Sequence, residues 1–122
     1  MALVYVLEDD EIMGELFKKY LRGLCKVKVF QDAISAISEI SDDKPSLIFL
    51  DILLTGPDGF TFLNEVVSYE DTAKIPVVIV TSLDLKTDNL KNYNVVKILK
   101  KDELVPDDIK NLACEFLEPK NA

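Results

Sequence analysis

Leu47-Ile48-Phe49-Leu50-Asp51 is the most informative segment for predicting the fold, because four consecutive apolar residues end at a single carboxylate. A strand that is covered on both faces of a parallel sheet is an unbroken apolar run, whereas a half-exposed strand alternates. Residues 77–80 have the same character and are followed by Thr81. We therefore predict two buried parallel strands, each with a polar side chain at its carboxyl end.

The rest of the chain alternates short apolar runs with amphipathic segments. Further strands are predicted at residues 3–7, 27–30 and 95–99, and helices over residues 10–24, 32–41, 58–67 and 106–117. A helix is also expected within residues 84–93, although that segment is polar and weakly patterned. Such alternation implies βαβ units around a parallel sheet. The predicted fold is α/β, a doubly wound, flavodoxin-like (βα)5 sandwich whose five-stranded parallel sheet has the order 2-1-3-4-5.

Length and composition exclude several classes of protein. The 122 residues suit a single domain over 1–122, with 118–122 as a frayed tail and no output domain. A net charge of −8 disfavours a nucleic-acid partner, and no apolar stretch approaches the roughly 20 residues of a membrane span. The chain has no histidine, which excludes Ser-His-Asp and Cys-His catalysis. Two distant cysteines, Cys25 and Cys114, and the lack of a basic leader indicate free thiols in the cytoplasm.

Polar side chains follow the strands at the edge where ligands bind in this class of fold. They are Glu8, Asp9 and Asp10 after the first strand, Asp51 after the third, Thr81 and Ser82 after the fourth, and Lys100 and Lys101 after the fifth. Carboxylates crowded into one cleft repel one another unless a dication neutralises them or some are protonated. Oxygen ligands without His or Cys favour Mg²⁺ or Mn²⁺, and the set suits phosphoryl transfer to a carboxylate.

Four segments together resemble the response-regulator receiver family of two-component signalling, and the resemblance covers nearly the whole chain. They are Val6-Leu7-Glu8-Asp9-Asp10-Glu11, Phe49-Leu50-Asp51-Ile52-Leu53-Leu54-Thr55-Gly56-Pro57-Asp58-Gly59, Val78-Ile79-Val80-Thr81-Ser82 and Ile98-Leu99-Lys100-Lys101. The resemblance implies that Asp51 is the phosphoacceptor. It also implies that Glu8, Asp9, Asp51 and the backbone carbonyl of Leu53 hold Mg²⁺. Thr81 and a lysine after the fifth strand would contact the phosphoryl group.

The resemblance favours Lys101 over Lys100, because the family commonly has an aromatic residue, a leucine, a variable residue and then the lysine. Side chains alternate along a strand, so the two lysines should not both point inward. The chain departs from the family at three positions: Thr55 and Asp102 stand where proline is usual, and Ile98 replaces the usual switch aromatic.

The resemblance implies a Mg²⁺-dependent phosphorylation switch that is not itself an enzyme. Its partners would be a histidine kinase or phosphotransfer protein and a downstream target protein. A degenerate receiver that acts as a constitutive interaction module is the alternative. A small phosphatase with an aspartate nucleophile fits less well, because Leu53 stands where that motif needs a second aspartate. Taken singly, the acidic residues 8–11 could be only a helix cap, and Lys100-Lys101 only a solvated pair.

Overall fold

A computed structural model describes residues 2–54, 58–85 and 87–117. Five parallel strands form one sheet of order β2-β1-β3-β4-β5, which confirms the predicted fold class. The strands are β1 (Leu3–Leu7), β2 (Lys26–Phe30), β3 (Leu47–Leu50), β4 (Val77–Thr81) and β5 (Val95–Lys100). The α-helices are α1 (Glu11–Leu21), α2 (Ala33–Ile40), α3 (Gly59–Val67), α4 (Glu70–Ala73) and α5 (Pro106–Leu117).

The sheet is covered on both faces, which explains the unbroken apolar runs of its central strands. Every residue of β3 and β4 is buried. Phe17 and Leu21 of α1 share one apolar cluster with Ile109 of α5. Helices α2 and α3 contribute to the cluster on the opposite face. Burying each large apolar side chain contributes roughly 1.5–3 kcal/mol, so this sandwich holds the strand ends in fixed positions.

Side-chain caps fix where the longer helices begin. The carboxylates of Asp10, Asp32 and Asp58 accept backbone N–H bonds at the starts of α1, α2 and α3. The cap at Asp58 confirms the prediction for that residue. Helix α1 ends at Leu21, earlier than residue 24, because Gly23 adopts a left-handed backbone with φ 85°. The predictions for Thr55 in the loop and for residues 118–122 in the tail lie outside the described residues.

The connection from β4 to β5 differs from the sequence expectation. The predicted α-helix within residues 84–93 is wrong: the described part of this connection contains a 3₁₀ helix, Thr87–Leu90, one turn long. The end of this connection is instead held by side-chain hydrogen bonds to α3 and to the residue that follows α4. The Tyr93 hydroxyl donates to Asn64 Oδ1 at 2.6 Å, and Asn94 Nδ2 donates to the Lys74 carbonyl at 2.8 Å. A polar segment without a continuous apolar stripe has little to gain from a longer helix.

Candidate functional site

The two buried acids of the site are held by extensions of the sheet's backbone ladder. Leu7 and Leu50 are paired in the register of β1 and β3, and Glu8 and Asp51 follow them directly. The Asp51 backbone N–H donates to the Leu7 carbonyl at 3.0 Å, and that of Glu8 donates to the Phe30 carbonyl at 2.9 Å. Both carboxylates therefore emerge at the same edge of the sheet, from backbone that the core fixes.

Three carboxylates meet at this edge. Each of Glu8, Asp9 and Asp51 offers an oxygen, and these oxygens all lie within 4.8 Å of one another. Glu8 is only 2% exposed and Asp51 only 4%, whereas Asp9 is more open to solvent. The spacing brings three oxygen ligands within reach of one hard cation, and the cluster contains no nitrogen or sulfur ligand.

Lys101 supplies a positive charge to this cluster. Its Nζ lies 2.7 Å from Glu8 Oε1 and 2.8 Å from Asp51 Oδ2, so one ammonium bridges both buried acids. Lys100 turns the other way and pairs with the exposed carboxylate of Asp84. Lys101 begins a 3₁₀ helix, Lys101–Glu103, directly after β5, and this change of backbone directs the two neighbouring lysines to different partners.

Burial and pairing act in opposite directions on the charges of the site. Burial raises the pKa of Glu8, and the hydrogen bonds from Lys101 and from the Asp10 backbone only partly counter that effect. For Lys101, burial lowers the pKa, but the contacts with Asp51 and Glu8 outweigh it, so its pKa is raised. The ammonium therefore stays protonated at neutral pH and partly neutralises the acidic cluster.

The remaining predicted residues lie on the loop after β3 and at the end of β4. Asp51 Oδ1 accepts the Leu53 backbone N–H at 3.0 Å, which holds the loop after β3 against the carboxylate. Thr81 ends β4 on the strand next to β3, is fully buried, and its Oγ1 accepts the Leu83 N–H at 3.2 Å. The roles of Thr81 and of the Leu53 carbonyl remain predictions.

Gly59 is a further contributor to the site, and no role was predicted for it from the sequence. Its N–H donates to the Ile52 carbonyl at 3.0 Å. A Cβ at this position would lie 2.7 Å from the Ile52 Cα and 3.0 Å from the Asp51 carbonyl oxygen. The start of α3 thus packs directly on the backbone that carries Asp51, an approach open only to glycine. Asp58-Gly59 belongs to one of the segments that resemble the receiver family, but the contact between Gly59 and Ile52 is visible only in the folded structure.

A comparison with known protein families matches residues 4–111 to the model of the response regulator receiver domain. The chain belongs to this family. The receiver domain is 35% identical over 94 residues to the protein PilH of Pseudomonas aeruginosa, an alignment that covers 74% of this chain and 75% of PilH. It is 31% identical over 91 residues to the response regulator PleD of Caulobacter vibrioides, covering 74% of this chain. It spans only 20% of PleD's length.

Solved receiver domains share its fold. One is the receiver domain of the sensor histidine kinase PA1611 from Pseudomonas aeruginosa, solved with a magnesium ion coordinated in the active-site cleft. The two superpose with a TM-score of 0.82 at 18% identity, over 95% of this chain and 97% of that one. Among the described residues, no helix has both the length and the apolar character needed to cross a membrane. The family assigns this receiver domain to two-component signalling.

Proposed function

We propose that the chain is a phosphoacceptor switch in which Asp51 receives a phosphoryl group in a Mg²⁺-dependent reaction. The observation that carries the proposal is the position of Asp51. It is a buried carboxylate with two further acids within 4.8 Å and an ammonium at 2.8 Å. Acids crowded around one nucleophilic carboxylate are stable only with counter-charges, and those same counter-charges suit an incoming phosphoryl group.

In the proposed reaction, a carboxylate oxygen of Asp51 attacks the phosphorus of a phosphohistidine on a histidine kinase or phosphotransfer protein. A P–O bond forms, the P–N bond breaks, and the imidazole of the donor takes the electron pair and leaves. Asp51 becomes an acyl phosphate whose phosphoryl group carries about −1.5 to −2 of charge. Because the new P–O bond removes the negative charge of the carboxylate itself, the net gain at Asp51 is at most about −1. Lys101 then contacts a phosphoryl oxygen, and Thr81 donates a hydrogen bond to another.

The three carboxylates fit a hard dication, because one oxygen from each lies within 4.8 Å of the others. Glu8, Asp9 and Asp51 would hold Mg²⁺, or Mn²⁺ in its place, with the Leu53 carbonyl as a further ligand. The bound ion supplies positive charge that neutralises phosphoryl oxygens during transfer. The receiver domain of PA1611 has the same fold and was solved with a magnesium ion coordinated in its active-site cleft, which supports this assignment.

We further propose that residues 1–122 form one receiver domain that works in the cytoplasm and signals by binding a protein partner. In this proposal the chain catalyses no turnover beyond its own phosphorylation and dephosphorylation. The net charge of −8 supports a protein partner rather than a nucleic acid.

Intact-mass spectrometry tests the phosphoacceptor directly. Wild type incubated with Mg²⁺ and acetyl phosphate should gain the mass of one phosphoryl group, and Asp51→Asn should gain none. Chelation of Mg²⁺ should abolish the gain, whereas Asp58→Asn, a nearby acid that caps α3, should leave it intact. A wild type that stays unmodified by acetyl phosphate and by phosphohistidine donors would refute the proposal.

A constitutive interaction module remains the second candidate. The observations that favour it are the one-turn connection Thr87–Leu90 and the aliphatic Ile98, since a switch needs parts that move together. Titration with Mg²⁺ separates the two candidates. A switch should show saturable shifts of the Glu8 and Asp51 backbone resonances, whereas a module without metal chemistry should show none and still bind its partner.

A further inference from the structure

The two cysteines are far apart in the sequence, but the fold brings them to the same face of the sheet. Cys25 directly precedes β2, is only 6% exposed, and belongs to the apolar cluster that also contains Ile109 and Ala113 of α5. Cys114 follows Ala113 near the end of α5 and is exposed, and both thiols are free. One buried and one exposed thiol therefore border the same cluster.

The course of α5 carries Cys114 toward the edge of the sheet at which Cys25 lies. Helix α5 begins after β5, at the carboxyl ends of the strands, and packs beside α1. Its 12 residues span about 18 Å, close to the length of a five-residue strand, so its last turns lie near the amino ends of the strands. Cys25 occupies that same edge, because it stands immediately before β2.

The position of Cys114 around the helix places it at the rim of the cluster. It follows the buried Ala113 and precedes by three residues Leu117, which packs against the same cluster. Residues one apart differ by about 100° around a helix, and residues three apart lie on the same side of it. Cys114 is therefore on the flank of α5 that Ala113 and Leu117 define, beside the layer that buries Cys25.

The electrostatics of the two thiols agree with this placement. Burial is the main cause that raises the pKa of the Cys25 thiol, and the Cys114 sulfur raises it further. Because the influence of one group on another falls with distance, Cys114 lies near Cys25. The thiolate is the nucleophilic form of cysteine, so buried Cys25 is a poor first target for an oxidant, whereas Cys114 is open to solvent.

The backbone at Cys25 is fixed on either side. The Leu24 N–H donates to the Leu21 carbonyl at 3.0 Å, and the Lys26 N–H donates to the Ala2 carbonyl at 2.8 Å. Any adjustment that brings the two sulfurs into bonding distance therefore falls to the end of α5, because the last turn of a helix is the least constrained.

We propose that Cys25 and Cys114 form a reversible disulfide when the protein meets a hydroperoxide, and that this bond links the end of α5 to the start of β2. The Cys114 sulfur attacks a peroxide oxygen, the O–O bond breaks, and Cys114 becomes a sulfenic acid while water or an alcohol leaves. The Cys25 sulfur then attacks the Cys114 sulfur. An S–S bond forms, the S–O bond breaks, and the hydroxyl leaves as water with the proton of the Cys25 thiol.

The two thiols together lose two electrons and the hydroperoxide gains them, so a small dithiol reverses the bond by exchange. The pair lies at the amino ends of the strands, whereas Asp51 follows the carboxyl end of β3. The inference is thus independent of the phosphoacceptor proposed above.

Intact-mass spectrometry without reductant tests the pair in the whole chain. A small excess of hydrogen peroxide should remove the mass of two hydrogen atoms from the reduced protein, and dithiothreitol should restore it. Cys25→Ala should stop at a sulfenic acid that dimedone traps at Cys114, and Cys114→Ser should form neither product. Asp51→Asn should oxidise like wild type. A dimer linked through Cys114, or a wild type oxidised beyond the sulfenic acid at Cys114 with Cys25 unchanged, would overturn the proposal.

A displaced cysteine provides the matched control. Glu115→Cys combined with Cys114→Ser moves the thiol to another exposed position of the same helix. Position 115 is two residues from both Ala113 and Leu117, and residues two apart do not face each other on a helix, so no internal disulfide should form. In oxidised wild type, amide hydrogen exchange near the end of α5 should slow at least about tenfold. Equal cross-linking by the displaced cysteine, or unchanged exchange in α5, would overturn the proposal.

Discussion

Substitution of Lys101 by methionine should destabilise the metal-free protein more than any other loss of a surface-accessible lysine. The ammonium bridges two carboxylates that are only 2% and 5% exposed in their side chains. Methionine preserves much of the aliphatic stem and removes only the charge and its hydrogen bonds. Glu8 and Asp51 would then face each other without the cation that links them.

The magnitude follows from the two contacts. Each is a charge-assisted hydrogen bond, worth about 1.5–3 kcal/mol, and removal of one partner from a buried pair costs about 3–5 kcal/mol. Because 24% of the Lys101 side chain is exposed, water offsets part of this loss. We expect a decrease of about 2–4 kcal/mol in the free energy of unfolding, a large share of the about 5–15 kcal/mol typical of a domain.

Urea unfolding followed by far-ultraviolet circular dichroism measures this loss, with Lys100→Met as the control. Lys100 pairs with an exposed acid, so its loss should change stability little. Saturating Mg²⁺ should restore most of the stability of Lys101→Met, since a dication replaces the missing charge. Equal loss of stability in both variants, or greater stabilisation of wild type than of Lys101→Met by Mg²⁺, would refute this role of Lys101.

Three other perturbations have defined outcomes. The pKa of Glu8 is higher in the folded than in the unfolded chain, so protonated Glu8 stabilises the fold fully below the unfolded pKa, and this contribution is lost as pH rises through the folded pKa. In urea unfolding without metal, Glu8→Gln should therefore flatten the decline of stability with pH. An unchanged pH profile of stability would contradict this prediction. Gly59→Ala should cost about 1–3 kcal/mol and weaken Mg²⁺ binding in calorimetry, because its Cβ would press on the Ile52 backbone; full affinity would show that the loop adapts. Tyr5→Phe should lower unfolding free energy by about 1 kcal/mol, because it removes a 2.6 Å hydrogen bond to the Asp43 carbonyl; a gain in stability would count against that role.

The sequence was sufficient to predict the sheet, because the central strands of the sheet are buried on both faces. The runs 47–50 and 77–80 have no polar residue to satisfy, and such runs occur where helices cover both sides. The connection after β4 was mispredicted for the opposite reason. Within the described part of that connection, the hydrophobic residues that pack on the core are Leu85, Leu90 and Tyr93, and their spacing suits a 3₁₀ turn as well as it would suit a helix.

The strand order was enough to predict that Glu8, Asp9 and Asp51 lie together, because the carboxyl ends of neighbouring parallel strands share one edge of the sheet. Which lysine turns toward them depended on a local change of backbone, the 3₁₀ helix that begins at Lys101. Strand alternation alone says that two adjacent lysines point apart, not which of them points inward. The contact of Gly59 with Ile52 was likewise invisible, since a close backbone approach across a loop leaves no periodic pattern.

The hydrogen bond between Tyr93 and Asn64 makes the β4–β5 connection observable in solution. The chain contains four tyrosines and no tryptophan, so tyrosine emission is not masked by a stronger fluorophore. The Tyr93 hydroxyl donates a hydrogen bond to an amide oxygen on α3, and a movement that carries Tyr93 away from Asn64 would break it. Intrinsic fluorescence, with Tyr93→Phe as the blank, therefore reports movement of this segment without an attached label.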